Sequence, residues 1–255
     1  MKMTITTSSA SAAINTPQGT TIEIPKAGIP KSKLSLPMHF NENLNFDPER
    51  DLLLLKSASP VDPTSIPRGP KWLFDFLIPS RKALVCTGSS FKSMRTCYRD
   101  EIDDDAEAYN FVVPSYMLAR TGMTIGDPAQ GKPPHISPRC KANTGPAGYV
   151  VFRNPNLQPA GQAIRILGLS RLAGLVMAIE TGRGGIEAWF SVVGWSETEI
   201  KNFRKAARQH GSSGSTLSPS FPYAFPGGYC DRSGAVNRLI YFDLSAIGTI
   251  PNKKK

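Results

Sequence analysis

Two glycine-rich turns, each running into an apolar strand, set the strongest limit on how this chain can fold. The first is Thr181–Phe190, TGRGGIEAWF, and the second is Pro226–Asp243, PGGYCDRSGAVNRLIYFD. Glycine reaches positive φ at no steric cost and lets another chain segment or a ligand come close. Leu175–Ile179 and Glu187–Val193 are short runs of branched and aromatic residues on either side of Gly182-Arg183-Gly184-Gly185. They read as two strands joined by that turn, and Arg238–Leu244 reads as a third.

The segment between them is the clearest helix. Ser196 and Glu199 make a capping-box pattern, and Gly211 supplies a stop after His210. Within Ser196–His210, Ile200, Phe203 and Ala207 form an apolar side, while Lys201, Lys205 and Arg208 recur at i, i+4 and i+7 on one face. Upstream, Ala83–Cys86, Tyr109–Val113 and Tyr149–Phe152 read as strands. Gln158–Leu169 reads as a helix with Ile164 and Leu167 facing the core. Trp72–Ile78 is apolar throughout, so its period does not separate a helix from a buried strand. The expected fold is α+β, a mixed or antiparallel central sheet flanked by helices.

Residues 1–40 are rich in Ser, Thr, Pro and Lys and lack periodicity, which predicts a flexible basic arm. One domain is expected over residues 45–250, followed by a basic tail at 251–255. Hydrophobic residues make up 40% of the chain and charged residues 20%, so it is long and apolar enough to bury a core. The formal net charge of +10 points to an anionic partner, with DNA or RNA first and a membrane surface behind. No apolar run approaches the ~20 residues of a membrane helix. The N-terminal stretch lacks a continuous apolar segment of the secretory kind, so a cytoplasmic protein is expected. Cys86, Cys97, Cys140 and Cys230 form no CxxC, and disulfides are not expected there. His135 and Cys140 lie close together, but their spacing matches no standard zinc site.

An ordered series of segments over residues 70–245 resembles the primase-polymerase domain of mobile-element and phage replication proteins, in the archaeo-eukaryotic primase superfamily. The series is Phe76–Ser89, Phe111–Pro114, Ser137–Cys140 with Asn143–Pro146 and Tyr149–Phe152, then Thr181–Phe190, and finally Pro226–Gly228 with Arg238–Phe242. The resemblance implies nucleotidyl transfer by two divalent ions, Mg²⁺ or Mn²⁺, on carboxylate ligands. It also implies a nucleic-acid partner and a separate replicative helicase. The chemical positions differ. Where the family's first strand ends in acids, this chain has Arg153-Asn154, and where the family presents a phosphate-binding histidine it has Glu187. Ala224 and Cys230 stand where arginines flank the family's Pro-Gly-Gly turn.

The first reading is therefore a nucleic-acid-binding protein with degenerate catalytic motifs, needing no metal and having no catalytic residues. In it, Arg139, Arg183, Lys201, Lys205 and Arg208 contact nucleic acid. Arg183 would act with the amides of its glycine turn, and Trp189 and Phe190 are candidates to stack on bases. A second reading is an active primase-polymerase whose metal site is rebuilt from Glu180, Glu187, Asp231 and Asp243. A third is a non-enzymatic protein that occupies a protein partner. No GxxxxGK[ST] loop, GxGxxG or Ser/His/Asp arrangement supports another enzyme class.

With so little to bury, residues 1–40 should be dispensable for folding. Their removal is expected to leave the Tm within a few degrees of the full chain, and a large drop in a thermal melt would show that the arm is packed into the core.

Overall fold

The computed structural model describes residues 48–66, 70–102, 109–230 and 233–247, with the backbone of three short strands nearer the N-terminus. Those strands, β1 (Thr6–Thr7), β2 (Ser11–Asn15) and β3 (Thr21–Pro25), pair antiparallel in that order. The rest of the expected arm, the basic tail at 251–255, the Asp103-Asp104-Asp105 run and Asp231 lie outside the described residues. Among the described residues, no helix is long and apolar enough to cross a membrane.

Two antiparallel sheets build the domain. Helices α1 (Pro48–Ser57) and α2 (Pro70–Leu77) come first, then β4 (Leu84–Gly88), β5 (Arg95–Tyr98), β6 (Phe111–Val112) and β7 (Ser115–Met117). A small ribbon follows, β8 (Gly122–Met123) with β9 (Ile136–Ser137), and then β10 (Thr144–Ala147). The first sheet runs β10-β7-β4-β6, with β5 on β4, and is completed by β14 (Tyr223–Ala224) on β6. The second sheet is β11 (Tyr149–Arg153), β13 (Ile186–Ser191), β12 (Leu175–Glu180) and β15 (Arg238–Phe242), in that spatial order. Its connections are α3 (Pro159–Leu169), between β11 and β12, and α4 (Glu197–Gln209), after β13. The chain therefore leaves the second sheet after α4, lends β14 to the first, and returns as β15.

The pleat explains how the second sheet joins everything. Alternate residues of a strand point to opposite faces. On β11, Val150 and Phe152 enter a core shared with the helices, together with Ala163, Ile166 and Phe203. Tyr149 and Val151 enter another core, shared with α2 and the first sheet through Phe74, Val85 and Tyr223. On β13, Ala188 and Phe190 belong to the helix side and Trp189 to the other. A sheet covered on both faces reads as near-continuous apolar sequence, which is how β12 and β13 are spelled.

The structure resolves Trp72–Ile78 as a helix, α2, whose Asp75 pairs with the buried Arg99. Helix α1 has no counterpart in the sequence reading. Its first turn holds Glu49 and Asp51 and its last turn Lys56, charges that suit the helix dipole, and it packs on α3. The core stripe of α3 also differs from expectation. Ala160, Ala163, Ile166 and Leu169 are buried, whereas Ile164 and Leu167 are half-buried. The true stripe begins with two alanines, which a pattern of large apolar residues passes over.

Trp189 and Phe190 do not face a ligand. Trp189 is 1% exposed, between Tyr149 at 5.8 Å and Tyr223 at 6.0 Å, and Phe190 is fully buried with its ring 5.2 Å from Phe203. The base-stacking expectation fails because β13 is covered on both faces.

Helix α4 has the expected cap. Ser196 Oγ accepts from Glu199 N–H, and the Glu199 carboxylate accepts from Ser196 N–H at 2.8 Å. Replacing Ser196 by Ala should cost about 1 kcal/mol, measured by urea unfolding, with the slope unchanged.

Candidate functional site

The glycine turn and the Pro-Gly-Gly loop, 40 residues and more apart in sequence, form one structure. In the turn, Gly184 has φ +79° and donates its N–H to Thr181 O at 2.8 Å. Gly182 is held against the second loop: a Cβ there would lie 2.5 Å from Ala235 O and 2.6 Å from Cys230 Cβ. Asn237 ties the two together. Its Oδ1 accepts from Gly182 N–H at 3.0 Å, and its Nδ2 donates to Phe225 O. Gly228 presses on Asn110, whose Oδ1 accepts from Tyr229 N–H at 2.7 Å. Asn110 and Asn237 are buried polar anchors that sequence reasoning missed, since an isolated asparagine carries no signal without its loop partners.

Between the sheets, beside this loop pair, lies a small open cleft lined by Arg153, Arg183, Glu187, Ala224, Cys230 and Asn237, among others. Four of the positions that the motif resemblance singled out, Arg153, Glu187, Ala224 and Cys230, thus converge in space. Arg153 and Glu187 are cross-strand partners on β11 and β13. Their side chains pair, Arg153 Nη1 to Glu187 Oε1 at 3.4 Å. Glu187 Oε2 accepts from Ala224 N–H of β14 at 2.7 Å. Full burial pushes the Glu187 carboxyl above its ordinary range, against the opposing pull of Arg153, the Ala224 amide and Arg183. Burial likewise raises the Tyr223 phenol nearby, helped by the Glu187 charge.

The other candidate acids lie apart. Glu180 pairs with Arg238 at 2.8 Å across β12 and β15. It neighbours Ile179, the cross-strand partner of Glu187, so it points to the opposite face of the sheet. Asp243 caps a short 3-10 turn, accepting from Ser245 N–H at 2.9 Å and Ser245 Oγ at 2.6 Å. Among the described residues, no three His, Cys, Asp or Glu side chains gather as a metal would need. His135 instead contacts Thr124 Oγ1 through Nδ1, and Cys140 Sγ lies against Asn143 Oδ1.

The basic candidates divide between two places. Arg183 lines the cleft, but the glycine-turn amides do not form an anion cradle. Gly182 N–H is taken by Asn237, Gly184 N–H by Thr181 O, and Gly185 N–H by Thr181 Oγ1. Arg139 sits over the ring of Phe91, 5.6 Å from its centre, and Phe91 is itself a wall of the cleft. Burial lowers the pKa of Arg139. Lys201, Lys205 and Arg208 are exposed on α4 and line a separate, open groove. Arg204 joins them, although the sequence reading passed over it. Leu118, which follows β7, and Thr144–Ala147 of β10 also line the groove, as does Trp195, just before α4. Glu197 is the single acid among the described residues of this lining.

The chain matches no protein-family model and no curated protein sequence. Among solved structures it is similar to the archaeo-eukaryotic primase domain of the primase-polymerase of cyanophage S-2L, at 12% identity and a TM-score of 0.41, covering 72% of this chain and 94% of that one.

The Glu187 geometry fixes a pH dependence. A carboxyl whose pKa is raised by folding holds its proton more tightly in the folded state. Stability therefore falls as pH rises above the ordinary value of 4.5 toward the folded-state value. Glu187→Gln cannot titrate and keeps an oxygen for the Ala224 amide. Unfolding midpoints of the two proteins should diverge in favour of the variant as pH rises from 4 to 8; parallel curves would show that the carboxyl is not strained by burial.

Proposed function

We propose that this is a primase-polymerase-like nucleic-acid-binding domain of mobile-element replication that has lost the family's route to catalysis. The observation that carries the binding half is the groove along α4. Among the described residues four cations, Lys201, Arg204, Lys205 and Arg208, line it against one acid. A row of cations at helical spacing matches a chain of phosphates. The release of counterions on binding is the driving force, so no base-specific contact is needed. The net charge of +10 works in the same direction.

The loss of catalysis rests on the cleft. Arg153 and Asn154 stand where the resemblance calls for metal-binding acids, and the one carboxylate among the described residues lining the cleft, Glu187, is engaged by Arg153 and the Ala224 amide. Two-ion phosphoryl transfer needs several oxygen ligands facing a common point. A guanidinium at that point repels a cation. DNA or RNA is the expected ligand, and a separate helicase is the protein partner that the resemblance implies.

Binding of a mixed-sequence oligonucleotide, followed by fluorescence anisotropy over a salt series, tests the groove. Replacing Lys201, Lys205 and Arg208 together by Ala should weaken binding and reduce the slope of log K against log salt by roughly 2–3. An unchanged slope would move the site elsewhere, and no binding by the unaltered protein at low salt would favour a protein partner. In a parallel primer-synthesis assay with Mg²⁺ and Mn²⁺, no nucleotide incorporation is expected. Metal-dependent synthesis abolished by Glu187→Ala or Asp243→Ala, with folding intact, would establish a relocated active site.

A further inference from the structure

We infer that the β8–β9 ribbon is an apolar wedge that unstacks and bends duplex DNA. The inference rests on the nucleic-acid reading of the domain and adds a second contact, separate from the α4 groove. Its ground is a ribbon whose apolar side faces water. Met123 and Ile136 are cross-strand partners and so share a face, 55% and 68% exposed. Thr124 N–H donates to His135 O at 2.9 Å, which carries the pairing past β8, and Ile125 beyond it is 92% exposed. Alternation places Ile125 on the face of Met123. The other face is turned to the domain. A Cβ on Gly122 would lie 2.8 Å from Asn143 Cβ and from Cys140 Sγ, and Thr124 Oγ1 accepts from His135 N–H at 3.0 Å. An antiparallel ribbon on a domain surface ordinarily hides its apolar side and shows its polar one. This ribbon does the reverse, and an exposed apolar cluster marks a contact surface.

The composition of the face and the charges around it select the partner. Met123, Ile125 and Ile136 carry neither a charge nor a ring. Isoleucine and methionine are side chains that wedge between the base steps of a duplex, whereas platforms for single strands are built from aromatic rings. Protein-facing patches are likewise rich in Tyr, Trp and Phe. Exposed cations flank the apolar face: Lys132 at the far end of the ribbon, and Lys141 in the 3-10 turn that packs on β8. Asp127, cross-strand from Lys132, accepts from Gln130 N–H at 3.3 Å within its own turn. Lysines at these places suit the phosphates on either side of a kinked step, and they oppose the approach of a second copy of the same face. The base of the ribbon also adjoins the lining of the α4 groove. Leu118 N–H donates to Asn143 O at 2.8 Å, Asn143 is the residue against Gly122, and Leu118 and Thr144 both line the groove. Wedge and groove are therefore neighbours on the molecule.

The test uses the full chain and a mixed-sequence duplex with 2-aminopurine at its centre, whose fluorescence rises when that base is unstacked. The unaltered chain is expected to raise this fluorescence and to shorten the end-to-end distance read by energy transfer between dyes on the duplex ends. Ile125→Ser together with Ile136→Ser should abolish both signals and weaken binding about tenfold. Both replacements are neutral, so the slope of log K against log salt should not change. The Lys201, Lys205 and Arg208 triple variant should do the opposite, lowering the slope while keeping the unstacking at saturation. Both isoleucines are exposed, so the double variant should keep the Tm of the unaltered chain; Ile125→Ser alone, at the more exposed of the two, keeps the test informative if it does not. Binding without unstacking, or unstacking that survives these variants, would overturn the wedge and leave the groove standing. An unchanged slope in the triple variant, with unstacking intact, would overturn the groove and leave the wedge. No duplex binding by the unaltered chain at low salt would overturn both.

Discussion

A strand covered on both faces has nowhere to put a charge, and β13 is such a strand. Every residue from Ile186 to Ser191 is buried. One of them is a glutamate. Leaving its carboxylate unpaired there would cost several kcal/mol. The fold answers from two directions: β11 supplies the Arg153 guanidinium, and β14 supplies the Ala224 amide. Because β14 belongs to the other sheet, the bond from Ala224 is also a tie between sheets. The Arg153 side chain and the Ala224 amide are thus both engaged by this one side chain.

Much of this was legible in the sequence, and the limits of legibility have physical causes. The hairpin about Gly182–Gly185, the α4 cap and its basic stripe were readable because each is local: a turn, a capping box and a period lie within a few residues. The two-sided burial of β13 is less local. TGRGGIEAWF reads as a strand, but an aromatic on a strand looks the same whether it faces a ligand or a second layer. Trp189 needed the first sheet in place before it could be called core. The partners of Glu187 lie 34 and 37 residues away, and only the register of β11 with β13 and the detour of β14 reveal them. Helix α1 escaped because Leu52–Leu55 is a solid run with no alternation, of which Leu55 alone is fully buried.

Tyr223 of β14 links the two candidate surfaces electrostatically: it is within reach of Arg204, which lines the α4 groove, and of Arg153 and Glu187, which line the cleft. The expected contact residues are thus not scattered: Lys201, Lys205 and Arg208 follow α4, while Arg183 sits at the cleft and Arg139 reaches its wall through Phe91. The end of the edge strand β11 is secured by Ser212, whose Oγ donates to Arg153 O at 3.2 Å.

The detour of the chain through β14 has a consequence for folding. The second sheet is completed by β15, which follows β14 in sequence, so the stretch from the end of α4 to Arg238 threads through the first sheet before the second can close. Neither sheet is assembled from a continuous block of chain. There is no point between residues 84 and 242 at which a cut would release two self-sufficient halves. The contacts that matter most join distant parts of the chain, which slows folding and makes loss of either sheet a loss of both.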